Sequence, residues 1–210
     1  MLLIIATNSC SNVGDDYDEN DPISDNESYV LINENPLIIK VTNVENLNGE
    51  IYFKDIVFAK AIGYYQTGTN EWHNYLEFPA KYENGKFELS LSDNISDEYL
   101  QLVYNREDRE GVTASDTQAK FIFFGVKAFN SENIWLGDLR IRSKNWNIEF
   151  RYTDRDFTEK GVNKYGEEFD CSYKKGWNIV YYYFDGVKTK STTQKPSNEN
   201  FKCYFEIWRL

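Results

Sequence analysis

The chain has 210 residues, 34 acidic and 23 basic, for a formal net charge of -11 at neutral pH. That balance argues against a nucleic-acid partner, because a phosphate backbone is met by clustered Lys and Arg. Aromatic residues make up 17% of the chain. They suit half-buried pleated surfaces, and with no long window of apolar residues at helical spacing they predict an all-β fold.

Residues 1–10 hold an apolar run, Leu2, Leu3, Ile4, Ile5 and Ala6, that ends in Thr7, Asn8, Ser9 and Cys10. This resembles the tail of a bacterial lipoprotein signal, in which the Cys becomes the lipidated first residue of the mature protein. No basic residue precedes the run, and the run is short for a signal core; a start assigned too late would produce both departures. The alternative is a buried N-terminal strand with a free Cys. After Cys10 no apolar run approaches the roughly 20 residues of a membrane helix.

Residues 11–34 are expected to be an acidic flexible tether. Asp15, Asp16, Asp18, Glu19, Asp21, Asp25 and Glu27 precede the first basic residue, Lys40. Such a segment has too little apolar content to offset the entropy of ordering. An acidic patch soon after the Cys also resembles the surface-export signal of Bacteroides-type lipoproteins. The acids do not follow the Asp-x-Asp-x-Asp-Gly spacing of a calcium loop, and no Glu closes one, so no metal site is expected.

Residues 35–112 are expected as a first β-sandwich, immunoglobulin- or transthyretin-like. Residues 37–42 are predicted as a strand, 51–62 as one or two more, and Asn48 and Gly49 as the turn between. Residues 64–75 carry Tyr64, Tyr65, Trp72, His73 and Tyr75 among Gly, Thr and Asn without clean alternation. They read as a loop or irregular edge with exposed aromatics. Asn84 and Gly85 make a turn into residues 86–91, where Phe87, Leu89 and Leu91 share a face. Residues 94–98 are expected to form one helical turn capped by Asp93, and 99–104 a strand. The charged run Arg106, Glu107, Asp108, Arg109, Glu110 and Gly111 reads as a boundary.

Residues 113–210 are expected as a second antiparallel unit, a sandwich or a barrel. Residues 120–127 are strongly apolar, and 135–142 alternate. In 146–152, Trp146, Ile148, Phe150 and Tyr152 point one way and Asn147, Glu149 and Arg151 the other. Residues 155–166 read as a polar loop, 169–184 as dense strand sequence turning at Asp185 and Gly186, and 201–208 as the last strand. Among the remaining cysteines, Cys171 and Cys203 each share a strand face with aromatic neighbours. An even remainder in an exported protein points to a disulfide between them, with two separate buried thiols as the alternative.

The run Lys174, Lys175, Gly176, Trp177, Asn178, Ile179, Val180 and Tyr181 is followed by a Thr-rich stretch, a turn at Pro196 and Ser197, and Lys202, Cys203, Tyr204 and Phe205. It resembles the C-terminal signature of small Bacteroides-type cell-envelope lipoproteins of unknown function. Residues 85–87 and 97–100 resemble that group's middle segment. The resemblance implies lipid anchoring of Cys10 in the outer membrane, facing either the periplasm or the cell surface, and carries over no catalytic residues.

The chemistry expected is non-catalytic. The chain has one His, His73, no Gly-x-Ser-x-Gly elbow and too few Cys and His for a zinc site. No cofactor is expected. A carboxylate-based glycosidase stays open as a class, with no pair that stands out. The expected function is that of a monomeric outer-membrane-tethered protein that binds or scaffolds at the envelope, with a glycan or an envelope protein as partner. Tyr64, Tyr65, Trp72 and Tyr75 are the candidate sugar-stacking residues. A lipocalin-like barrel carrying an amphiphilic ligand is the further alternative.

Overall fold

The computed structural model describes residues 2–5, 30–34, 37–48, 50–66, 72–103 and 109–207. Cys10 and the acidic run of residues 11–28 lie outside them, but residues 30–34, expected as the end of the flexible tether, are paired strand with Val30 and Ile32 fully buried. Strands hold 60% of the chain and the fold is all-β, with the sheet not closed into a barrel. Among the described residues no helix is long and apolar enough to cross a membrane.

The strands form two faces of a sandwich. The smaller sheet holds β1 (Leu2–Ile5), β2 (Val30–Glu34), β3 (Leu37–Val41) and β7 (Lys86–Ser90), in that order. β4 (Val44–Asn46) and the helical turn α1 (Glu50–Phe53) lead to β5 (Phe58–Gln66). β6 (Trp72–Glu83) then serves both sheets. Its first part pairs with β5, and its last residues, Lys81 to Glu83, pair with β7. A strand of 12 residues is long enough to turn this corner without a loop.

After the short β8 (Gln101–Leu102) and β9 (Val112–Ala114), the larger sheet is built on β10 (Lys120–Phe129). One edge of β10 pairs with β5. The other edge is shared: Phe121 to Phe124 pair with β12 (Trp146–Thr153), and Val126 to Phe129 pair with β11 (Trp135–Arg142). The sheet forks there. One branch continues from β11 through β17 (Lys202–Glu206) to β4. The other runs from β12 through β15 (Gly176–Phe184), β16 (Thr189–Thr192) and β14 (Glu167–Tyr173) to β13 (Phe157–Val162) and β9.

The main core lies between the two sheets. Ile32, Ile39 and Leu89 of the small sheet meet Ile122, Phe124, Phe150, Trp177 and Phe205 of the large one. Phe205 is fully buried, and truncating such a ring to Ala costs about 3–5 kcal/mol. The polar ends of the core aromatics are satisfied: Trp177 Nε1–H donates to the Ser92 carbonyl (3.0 Å) and the Tyr152 hydroxyl to that of Asp93 (3.0 Å). The forked branch folds β13 and β14 back over the other face of β10 and β15. There Phe121, Phe157, Cys171, Tyr173 and Val180 form a second, smaller core. Strands β10, β12 and β15 are therefore covered on both faces around Phe121, Arg151 and Val180, while Glu149 and Phe184 towards their other ends stay partly exposed.

Several expectations are corrected. The boundary expected near residues 112 and 113 is crossed by a continuous ladder, because β5 pairs with β10 from Phe58 to Tyr64 and β4 pairs with β17. The pairs β14–β16 and β4–β17 are parallel in an otherwise antiparallel sheet. Residues 64–66 and 72–75 are paired strand, with Tyr65 opposite His73 and Gln66 opposite Trp72, across a register shift at Gly63 and Tyr64. That shift breaks the alternation that would have marked a strand. Residues 50–53 are helical rather than extended. The turn expected at 94–98 is a 3-10 turn at Asp97–Tyr99, with Ser96 at its N-cap and no side-chain cap bond. Residues 157–162, expected as loop, form β13. Cys171 and Cys203 are free thiols, one in each core, and no bridge joins them.

Candidate functional site

Strand alternation puts Asn147, Glu149 and Arg151 of β12 on the face away from the main core, beside Asp138 and Arg140 of β11 and Phe123 of β10. In an ordinary sandwich that face meets water. Here the folded-back branch covers it, so charged side chains are enclosed.

The deepest part is a buried network. Glu159 of β13 and Arg109, just before β9, have side chains 2% and 6% exposed, and Arg109 Nε–H donates to Glu159 Oε1 at 2.7 Å. The Tyr173 hydroxyl donates to Glu159 Oε2 at 2.9 Å and accepts from Arg151 Nη1 at 2.7 Å. Arg151 Nη2 donates to Glu149 Oε2 at 3.0 Å. Both guanidiniums also lie on rings: Arg109 over Phe169 at 4.3 Å, and Arg151 over Phe123 at 4.5 Å. A buried charge is tolerated only when paired and hydrogen-bonded in this way. Arg151 keeps one unused group, its Nε–H, which is buried without a partner.

The electrostatics follow from this packing. Burial works against the Arg151 charge, but Tyr173, Glu149 and Glu159 outweigh it, so its pKa rises above the ordinary value. Burial pushes the Tyr173 hydroxyl well up, against the pull of Arg151, so it stays protonated and can donate to Glu159. Glu167, at the start of β14, is half-buried. Burial raises its carboxyl above the usual range, while the Ser191 hydroxyl, Arg109 and Arg151 pull it down. Its oxygens accept from Ser191 Oγ at 2.9 Å and Asn163 Nδ2 at 3.3 Å.

Beside this network opens a cavity of about 420 Å³, within the range of small-molecule sites. Arg109, Arg151 and Phe123 form its inner wall, Asp138, Arg140, Asn147 and Glu149 its flank, and Glu167 and Tyr182 its far side. The Arg109 and Arg151 side chains of the inner wall are each 6% exposed, while those of Arg140 and Glu149 are 35% and 39% exposed and reach solvent. Arg140 is 3.5 Å from Asp138 and 3.8 Å from Glu206. Gly125, between Phe123 and Lys127 on the same face of β10, contributes no side chain, which leaves the floor of the cavity open. Glycine inside a strand often marks such a close approach.

The sequence-predicted site residues are placed elsewhere. The backbones of Tyr64, Tyr65, Trp72 and Tyr75 lie on the β5–β6 hairpin, and their side chains lie outside the described residues. Arg109, Glu149, Arg151, Glu159, Glu167 and Tyr173 were not singled out by sequence reasoning as site residues. One signal pointed to them. Phe121, Ile122, Phe123 and Phe124 are consecutive, and Trp177 to Phe184 is nearly all apolar, which marks strands buried on both faces. Of the polar alternates of the neighbouring β12, Arg151 is buried there, while Asn147 and Glu149 are partly exposed. Among the described residues no group of His, Cys, Asp and Glu is arranged to hold a metal ion.

Comparison with family models, with curated proteins and with solved structures finds no match to this chain.

Proposed function

We propose that this protein is a non-catalytic binding module, tethered to the outer membrane through lipid on Cys10, that holds a small polar ligand in the cavity between β10–β12 and the folded-back branch. The observation that carries the binding reading is a cavity of about 420 Å³ with a mixed polar and apolar lining that includes the buried, paired guanidiniums of Arg109 and Arg151. Pre-organised polar groups in a largely desolvated pocket are what a specific small-ligand site requires. The lining holds no His, Cys, Ser, Thr or Lys; the acid–base groups in it are Tyr182 and the carboxylates of Asp138, Glu149 and Glu167. Its carboxylates are engaged by arginines or by neighbouring hydroxyl and amide groups. The tether rests on the apolar run before Cys10 and the acidic segment after it; Leu2–Ile5 of that run form edge strand β1 in the uncleaved chain, and processing at Cys10 would remove it from the smaller sheet.

Two measurements test this reading. A thermal-shift screen of the purified full chain against a panel of sugars, amino acids, organic acids and nucleosides should give at least one stabilising ligand. The shift should vanish in Gly125→Val, whose side chain fills the floor. NMR should recover the ligand unchanged after prolonged incubation; turnover would make the protein an enzyme acting through Glu149 and Glu167. For the anchor, a palmitate analogue should label the chain expressed with a complete signal and not its Cys10→Ala variant. Equal labelling of both would remove the lipid.

A further inference from the structure

Resting on the binding reading above, we infer that the cavity is a saccharide site, built for a neutral, polyhydroxylated ring of one or two sugar units.

The first argument is charge. The lining carries three guanidiniums, Arg109, Arg140 and Arg151, against three carboxylates, Asp138, Glu149 and Glu167. Each guanidinium is already matched: Arg109 by Glu159, Arg151 by Glu149, Arg140 by Asp138 and Glu206. An anion would have to compete with these carboxylates, and a cation with the guanidiniums. A zwitterion would need two separated, unmatched charges, which the lining does not offer. A neutral ligand meets no such opposition.

The second argument is the chemistry of the polar heads. Planar guanidinium, carboxylate and amide groups standing side by side offer donors next to acceptors. Adjacent sugar hydroxyls, each both donor and acceptor, complete such a pattern. Arg140 and Asp138 on β11 and Asn147 and Glu149 on β12 provide it along the flank. Arg151, which lines the cavity, also has a buried Nε–H without a hydrogen-bond partner, and a buried donor left unpaired is costly.

The third argument is the presence of apolar walls of ring size. Phe123 and Tyr182 both line the cavity. One face of Phe123 carries Arg151 at 4.5 Å, so the C–H face of a pyranose would pack on Tyr182 with its hydroxyls turned to the polar flank.

The test is calorimetric titration of the full chain with neutral sugars (glucose, galactose, mannose, N-acetylglucosamine, maltose, cellobiose), with glucuronate and galacturonate, and with glutamate and glycine. A neutral sugar should bind. Its affinity should change by less than about twofold between low and high salt, because no net charge is neutralised. Asn147→Ala and Tyr182→Ala should each weaken it by about tenfold or more at unchanged thermal stability. Preference for the uronates, with affinity falling as salt rises, overturns the inference, as does sugar binding that ignores both substitutions. Binding of glutamate or glycine without any sugar overturns the saccharide assignment and leaves the binding reading standing. Should no probe in this panel or the broader screen bind, both readings fall.

Discussion

Gly111 and Gly161 meet backbone to backbone where β9 joins β13: Gly161 pairs with Val112, and a Cβ on Gly161 would lie 2.6 Å from the Gly111 carbonyl oxygen. Both have positive φ, 92° and 132°, a region that residues with a Cβ rarely adopt. Arg109 stands two residues before the first glycine and Glu159 two before the second; in this antiparallel pair those positions lie on opposite sides of the crossing, and the Arg109 side chain reaches across it to Glu159 at 2.7 Å. Gly161→Ala combines backbone strain with a clash against a carbonyl that cannot move aside. It should lower unfolding free energy by about 2 kcal/mol in urea titration, and it should weaken any cavity ligand as Arg109 shifts. A change within about 0.5 kcal/mol would mean that the crossing is not tight.

The Tyr173 hydroxyl joins Arg151 to Glu159, so the network should respond as a unit. Glu159→Gln leaves Arg109 buried opposite a neutral amide and should cost about 3–5 kcal/mol. Tyr173→Phe strands one acceptor and one donor and should cost about 1–3 kcal/mol. The double variant should lose less than the sum of the two, because both substitutions break the same hydrogen bond. Strict additivity would show that the hydroxyl and the carboxylate act independently.

Glu167 gives the fold a pH signature. Burial raises its carboxyl in the folded chain, so the folded state holds the proton more tightly than the unfolded state. The stabilisation from this group is complete below the ordinary carboxylate pKa. It is lost as pH rises through the raised folded value. Glu167→Gln stays neutral throughout and keeps an oxygen for Ser191. Relative to the wild type, the variant should therefore gain stability between pH 4 and pH 7. Denaturant titrations of both proteins at the two pH values measure this. A difference that does not change with pH would assign Glu167 an ordinary carboxyl.

The strands were legible in the sequence wherever one face is buried and the other wet. Phe87, Leu89 and Leu91 show it, and all three are buried. Legibility failed where that rule is suspended. Residues 157–162 contain Thr158, Glu159, Lys160 and Gly161, which read as loop, yet Glu159 is among the most buried side chains because Arg109 and Tyr173 compensate it. Arg109 sits in a charged, Gly-ended run that read as a boundary. Its partner lies 50 residues away, and no local pattern announces a contact of that range. The forked pairing of β10 is equally non-local. Its doubly apolar composition shows that both faces are covered, but not which branch covers the second.

The same two-core arrangement decides the fate of the cysteines. Cys171 points into the smaller core with Phe157 and Tyr173, and Cys203 into the main core; both are buried and free. Alternation correctly aimed each thiol at apolar neighbours, but the strands face different layers. Burial raises both pKa values, with Arg151 partly opposing it at Cys171. Thiolate, the reactive form, is therefore scarce in each case, and the surrounding side chains block access. In the full chain carrying Cys10→Ser, a disulfide-exchange reagent at pH 8 should label neither thiol while the protein is folded. After denaturation without reductant it should label both, giving two per chain. Fast labelling of the folded protein would show that a core opens readily. Absence of any titratable thiol after denaturation would restore the bridge and require β14 and β17 to lie closer than they do here.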